Sequence, residues 1–411
     1  MVLGKWQVED MGYGDDSTHN SSTREQIMSG VTQKTKQNSP FRILHLVSDL
    51  TINSGIMMAI MNYYRHINRK EIQFDFVYFV ELDEKATYKT EIESLGGEIF
   101  LIPRPTLSPC YISYLHRFFA THKEEHLAIH IHEVYLTFMF ASFARIYKLK
   151  IITHCHNTKF SDHILHAIRN RILCLGINKN ADLRFACSKA AGLALYGKHA
   201  TFTVINNAID LNKFAFDSDK RKFIRQSLNI ENKTVIGHVG RFNQQKNHQF
   251  LVKIFNEFHK TNSDSVLLLI GEGPLMDEVR GQLAKLSLED SAIFLGRRRD
   301  VAELYNAMDV FVFPSLFEGL GIVLIEAQAN GLPCVIASCV PQEAIIDRAV
   351  IVNLSQSPLY WSNTISKVLC SQRTNCDMQK IYSSGFEIKT EAAILEKKYT
   401  NLLNKCPLRT E

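Results

Sequence analysis

No C-x-x-C pair occurs in the 411 residues, and the nine cysteines (Cys110, Cys155, Cys174, Cys187, Cys334, Cys339, Cys370, Cys376 and Cys406) are odd in number and scattered. That excludes a disulfide framework and a zinc knuckle, and it reads as reduced thiols in a cytoplasmic protein. No apolar run approaches the roughly 20 residues of a membrane span. The most apolar early stretch, Val134 to Ala144, is closed by Arg145 and Lys148. Met1 starts no basic-then-apolar segment, so no secretory signal is expected. Neither sign of charge dominates: 47 basic and 42 acidic side chains leave +5, too balanced for a protein built around nucleic acid.

Several chemical motifs are missing as well. There is no G-x-x-x-x-G-K-[ST] loop and no G-x-S-x-G elbow, and Gly271-Glu272-Gly273 has no third glycine of a dinucleotide fingerprint. ATPase, hydrolase and dehydrogenase readings therefore have little support. The one D-x-D, Asp217-Ser218-Asp219, sits in a polar stretch rather than at a strand end, a poor place for a divalent metal.

What is present is a globular composition, 45% hydrophobic and 22% charged, over a length that favours two domains. Residues 1–40 are rich in Ser, Thr, Asn and Gln without sustained apolar periodicity, and read as a poorly ordered leader. From Phe41 onward, short apolar runs alternate with helical patterns: RILHLVS, FDFVYFV, EIFLI, LAIHIH, KIITHCH, LRFACS and FTVINN. A polar stretch, Asp210 to Lys220, reads as a linker. A second series then follows: TVIGHVG, SVLLLIG, AIFLG, DVFVFPS and PCVIAS. Apolar runs buried on both faces indicate parallel sheets covered by helices. The expected architecture is α/β, with two Rossmann-like doubly wound domains, 41–207 and 208–385, facing each other across a cleft that forms the ligand site. Residues 386–411 are expected to form a helix crossing back to the first domain.

Four clusters carry candidate chemistry. In Gly240-Arg241-Phe242-Asn243-Gln244-Gln245-Lys246-Asn247-His248, Arg241 and Lys246 lie in a turn after a strand, and Asn247 can cap the next helix. A forked cation and a point cation beside free amides suit a diphosphate; two solvated surface cations are the competing reading. In PSLFEGLGIVLIEAQANGLP (314–333), Glu318 falls in a turn with Gly319, Leu320 and Gly321, and Glu326 follows one turn into a helix opening near Ile322. Both carboxylates can accept hydrogen bonds from the hydroxyls of one ligand. The third cluster, His154-Cys155-His156-Asn157, ends a strand. Alternate residues face one way, yet without cysteine or carboxylate close by, a hydrogen bond to ligand hydroxyls or phosphate suits the pair better than a metal. His130 and His132 raise the same question and are given a structural role. The fourth is Asn206-Asn207 in VINNAID, where Asn207 reads as a turn former.

These segments, in this order, resemble the retaining glycosyltransferases of family four, the group 1 glycosyl transferases. The likeness runs from about Phe41 to Tyr399 and is nearest to bacterial enzymes of capsular and exopolysaccharide assembly, whose opening pattern is similar to SGIMMAIMNYYRHINRKEIQFDF from Ser54. The resemblance implies the GT-B architecture and an enzyme without metal or cofactor, whose co-substrate is a nucleotide sugar and whose acceptor is a saccharide or lipid-linked saccharide. Carried over, it implies that Arg241 and Lys246 hold the donor diphosphate, with Gly240 in the same loop. Glu326 accepts from the ribose hydroxyls. Glu318 binds the donor sugar, with the amides of Gly319, Leu320 and Gly321 beside it. Gly55 lets the first loop approach the diphosphate, and His156 and His154 lie beside the transferred sugar. Ser54 and Met57 depart from the pattern, standing where a glycine and a glutamate are usual. Two other readings share the architecture: a nucleotide-sugar 2-epimerase and an inactive nucleotide- or glycan-binding subunit. The first-domain residues Tyr63, Tyr64, Arg65, Arg69 and Lys70 read as a solvated helix face, peripheral contact with anionic lipid at the inner face of the cell membrane being the alternative.

Overall fold

The computed structural model describes residues 40–52, 54–81, 87–161, 164–347, 349–370 and 378–404, so the expected leader, apart from Pro40, lies outside the described residues. The first lobe holds seven parallel strands: β1 (Phe41–Leu46), β2 (Ile72–Tyr78), β3 (Ile99–Leu101), β4 (His126–Ile131), β5 (Lys150–Cys155), β6 (Leu183–Ala186) and β7 (Thr203–Val204). Their spatial order is β3-β2-β1-β4-β5-β6-β7. The second holds β8 (Thr234–Val239), β9 (Ser265–Ile270), β10 (Ala292–Phe294), β11 (Val310–Phe313), β12 (Cys334–Ala337) and β13 (Ala349–Val352), ordered β10-β9-β8-β11-β12-β13. Both sheets reverse direction beside their first strand, between β1 and β4 and between β8 and β11. Open α/β sheets bind ligands outside the carboxyl ends of strands at such a reversal.

Fully buried strands such as SVLLLI and VFVF explain why each sheet takes helices on both faces. The stretch read as a polar linker is built differently. Leu211–Phe214 is a short helix with Leu211 and Phe214 buried, and Asp217 accepts from the amides of Asp219 and Lys220 to cap the helix Ser218–Ser227. Only two apolar side chains anchor the first of these turns, too few to give a periodic signal. Strand β13 had no counterpart in the sequence reading, because as an edge strand it is half exposed.

Two chain crossings join the lobes and run side by side, with Ile209 and Glu387 forming a parallel bridge. The helix Ile388–Leu403 then packs on the first lobe, where Ile388, Ala392, Leu395 and Tyr399 share a core with Tyr64, Phe74 and Phe76. The lobes belong to one compact unit, 40–411. No helix among the described residues is long and apolar enough to cross a membrane.

Candidate functional site

Strand β8 ends at Val239, and the loop that follows carries Arg241 and Lys246. Burial of Phe242 and His248, whose rings stack at 4.0 Å, pins the loop to the second lobe. The Lys246 stem lies over Gly240, where a Cβ would come within 3.1 Å of Lys246 Cγ. The Lys246 ammonium then meets Glu318 Oε1 at 2.7 Å and lies 4.7 Å from the centre of the Phe313 ring. Gln245 Nε2 donates to the other carboxylate oxygen, Oε2, at 3.3 Å. Arg241 is exposed and its guanidinium has no hydrogen bond or ion pair among the described residues. Asn247 does not cap the next helix with its side chain, contrary to expectation: the residue is left-handed, and its amide donates to Pro314 O at 3.0 Å instead, which ties this loop to the end of β11.

The turn after β11 is shaped by two glycines. Gly321 has φ +89° and begins the helix Ile322–Ala329, a left-handed conformation that a side chain resists. Gly319 meets the other lobe: a Cβ there would lie 1.9 Å from the carbonyl oxygen of His156. Two hydroxyls close the same seam, Ser188 Oγ donating to Gly319 O at 2.7 Å and Thr158 Oγ1 to Glu318 O at 3.1 Å. The structure thus brings Lys246, Glu318 and Gly319 together with the backbone of His156. Leu320 is buried beside them. Glu326 is enclosed one turn into its helix, where the Tyr305 hydroxyl donates to Oε2 at 3.0 Å, and burial pushes its carboxyl up to about 7. Gly55 opens the helix Gly55–His66 with no atom within 4 Å of where a Cβ would stand, so its freedom answers no contact within the protein.

The histidines differ most from the sequence reading. Parallel pairing sets His45 beside His130 and Ile131 beside Thr153, and one step further sets His132 beside His154. Five imidazoles meet where two isolated pairs were expected. His45 Nδ1 lies 3.0 Å from His132 Nε2, His132 Nδ1 lies 2.7 Å from His156 Nε2, and His130 Nδ1 lies 2.7 Å from the Tyr399 hydroxyl. Burial holds all five well below the usual histidine range, His45 and His156 to about 3. A cavity of about 130 Å³, lined by His132, Glu133, Tyr135, His156, Asn157 and Lys159 among others, opens at the carboxyl ends of β4 and β5. Burial raises the Glu133 carboxyl, against the Ser48 and Tyr135 hydroxyls. Sequence reasoning passed over His45, Glu133, Gln245 and Tyr305. Only His45 carried a usable signal, a polar residue alone in an apolar strand.

Four of the five candidates for lipid contact are engaged within the first lobe, and Lys70 is exposed. Tyr63 and Tyr64 are 4% and 0% exposed, Arg65 pairs with Glu91 at 2.6 Å, and Arg69 donates to Tyr64 O at 2.9 Å. The exposed apolar surface lies instead on the helix Ile164–Leu173 and the turn after it, where Ile164, Leu165, Ile168, Ile172 and Leu175 are between 54% and 76% exposed, with Arg169 and Arg171 on the same helix.

The family model described as glycosyl transferases group 1 matches residues 219–380, the lobe that carries Arg241, Lys246, Glu318 and Glu326. A putative glycosyltransferase, EpsF, of Bacillus subtilis (strain 168) is 31% identical over 348 residues, 82% of this chain and 90% of that protein. The UDP-Gal:alpha-D-GlcNAc-diphosphoundecaprenol alpha-1,3-galactosyltransferase of Escherichia coli is 33% identical over 172 residues, 41% of this chain and 42% of its own. Among solved structures, Anabaena Alr3699/HepE in complex with UDP-glucose superposes with a TM-score of 0.73 at 20% identity, covering 88% of this chain and 99% of that one.

Proposed function

Because the chain belongs to the family-four, group 1 glycosyltransferases and has their two-lobed GT-B fold, we propose that it transfers a hexose from a UDP-sugar to a hydroxyl of a lipid-linked saccharide in surface polysaccharide assembly, with retention at the anomeric carbon. The observation that carries this reading is the Lys246–Glu318 pair at the carboxyl edge of the second sheet, with an exposed Arg241 that is unpaired among the described residues in the same loop as Lys246 and with the adjacent Gly319 against His156 of the first lobe. It offers cations for a diphosphate and a carboxylate for sugar hydroxyls on one wall of the seam.

Arg241 and Lys246 neutralise the diphosphate, the work a bound metal does elsewhere. Glu318 accepts from the hexose, and its pairing with Lys246 fixes both side chains before the donor arrives. Glu326 accepts from the ribose hydroxyls, and His156 lies beside the transferred sugar. The bond between the anomeric carbon and the phosphate oxygen breaks while the acceptor oxygen attacks from the same face. The acceptor proton passes to the departing phosphate oxygen, and the nucleoside diphosphate leaves. Positioning and electrostatics supply most of the rate.

The donor class is supported by the relative named for UDP-Gal and by the related fold holding UDP-glucose. The acceptor class is supported by the same relative's diphosphoundecaprenol-linked substrate, and the polysaccharide setting by the relative named for amylovoran biosynthesis in Erwinia amylovora, 29% identical over 168 residues. An acceptor with a lipid tail places the enzyme at a membrane surface, which the apolar stripe on Ile164–Leu173 and its arginines suit. Incubating the purified chain with UDP-hexoses, with and without lipid-linked saccharide, tests the reading. A new glycolipid and free UDP are expected only with acceptor. A new nucleotide sugar formed without acceptor would identify an epimerase, and nucleotide binding without any product an inactive subunit.

A further inference from the structure

The five-histidine cluster is not used by the proposed transfer beyond His156 and His154, and its hydrogen bonding is incomplete. Among the described residues, His45 Nε2, His130 Nε2, His156 Nδ1 and both nitrogens of His154 are buried without a partner. His154 is 6% exposed and stacks on His156 with ring centres 4.1 Å apart. With no hydrogen bond at either nitrogen, a carbon ring would pack there as well and would not leave buried polar atoms unpaired. Water does not resolve this. The cavity lined by the five imidazoles measures about 20 Å³, room for about one water molecule, whose at most about four hydrogen bonds cannot serve five nitrogens spread over four rings.

We infer that His132, His154 and His156 form a binding site for a divalent transition-metal ion, zinc being the first candidate. One nitrogen from each lies within 4.8 Å of the others, and a tetrahedral zinc site with bonds of about 2.0–2.1 Å needs its nitrogens about 3.3 Å apart, so the rings adjust, the His132–His156 contact opening from 2.7 Å. Three imidazoles with no thiolate or carboxylate in the set favour zinc, cobalt, nickel or copper over magnesium or calcium. The ion replaces the hydrogen bond between His132 Nδ1 and His156 Nε2 and takes up a nitrogen of His154. A second triad, His45, His130 and His132, also lies within 4.8 Å, but His130 is committed to Tyr399 and all three rings are buried. His132 and His156 instead line the larger cavity, which gives an ion its route and leaves a fourth position for water. Bound there, the ion ties the ends of β4 and β5 together and fixes the His156 ring. The site stands on these three side chains and not on the identity of the transferred sugar.

The test uses the full chain stripped of metal by chelation. Cobalt(II) titration should give visible d–d absorption saturating at one ion per chain, displaced by zinc, and zinc should raise the melting temperature. His154→Phe, which keeps a ring in the stack, should abolish the cobalt bands and the zinc shift, whereas His116→Ala on the surface should leave both unchanged. Metal affinity should fall by more than the about 10–100-fold that changes outside the ligand shell bring. A wild-type chain that shows no cobalt bands, or a folded His154→Phe chain that keeps them, overturns the site. Either result leaves the glycosyl transfer reading untouched, since that reading is tested with acceptor and needs no metal.

Discussion

Lys246 Nζ and Glu318 Oε1, from loops 72 residues apart, meet at 2.7 Å where the second sheet faces the first lobe. The carboxylate is 5% exposed and the ammonium side chain 15%, so neither charge is well solvated and each depends on the other.

Removing the lysine should therefore affect more than turnover. Lys246→Met leaves Glu318 buried with, among the described residues, only Gln245 as a polar side-chain partner, and breaking a buried pair from one side costs about 3–5 kcal/mol. Adding Glu318→Gln should recover part of that loss while activity stays absent. Urea denaturation of the three proteins checks it, and equal stability of wild type and Lys246→Met would contradict the pairing.

The seam between the lobes rests on Gly319. Gly319→Ala would drive a methyl group into the His156 carbonyl, 1.9 Å away before relaxation, and also strain the Ser188 hydrogen bond at 2.7 Å. The lobes should separate, costing about 1–3 kcal/mol as overpacking does and lowering transfer at saturating donor. Small-angle scattering should show a larger radius of gyration than wild type; an unchanged radius with full activity would show that this contact is incidental.

Much of this was legible in the sequence, for physical reasons that also mark where legibility ended. Buried parallel strands announce themselves as uninterrupted apolar runs, so SVLLLI and VFVF stood out, and turn chemistry at their ends pointed to Arg241, Lys246 and Glu318. The half-exposed edge strand Ala349–Val352 and the short helix Leu211–Phe214 have too little apolar periodicity to be seen. Strand register is set by long-range pairing, so nothing local revealed that His45, His130, His132, His154 and His156 would meet, or that Tyr63 and Tyr64 would face the core rather than a lipid surface.

Burial of so many neutral histidines sets the acid stability. His45, His130, His132, His154, His156, His238 and His248 are all held below the ordinary value by desolvation, His238 to about 4 and His248 to about 2. Unfolded, they take up protons near pH 6.5; folded, they do not until far lower pH. The unfolded state therefore binds more protons, and stability falls as pH drops below about 6.5. Denaturation midpoints at pH 7.5, 6.5 and 5.5 should decline steeply over the last step; a flat profile would contradict the burial.

The membrane contact proposed above would use the exposed face of Ile164–Leu173. Ile168→Asp with Ile172→Asp, both on that face, should leave the melting temperature within about a degree and weaken sedimentation with anionic phosphatidylglycerol vesicles at least about tenfold, given about 1.5–3 kcal/mol for each buried aliphatic side chain. Unchanged vesicle binding would place the contact elsewhere.

The central claim is that Arg241 and Lys246 grip a diphosphate, and calorimetric titration of nucleotides into the wild-type and Arg241→Ala chains tests it most directly. One UDP per wild-type chain is expected, bound at least about tenfold more tightly than UMP, with the preference for UDP lost in the variant, since each charge-assisted bond is worth about 1.5–3 kcal/mol. Equal affinity for UDP and UMP in the wild type, or an Arg241→Ala chain that still prefers UDP, would contradict it.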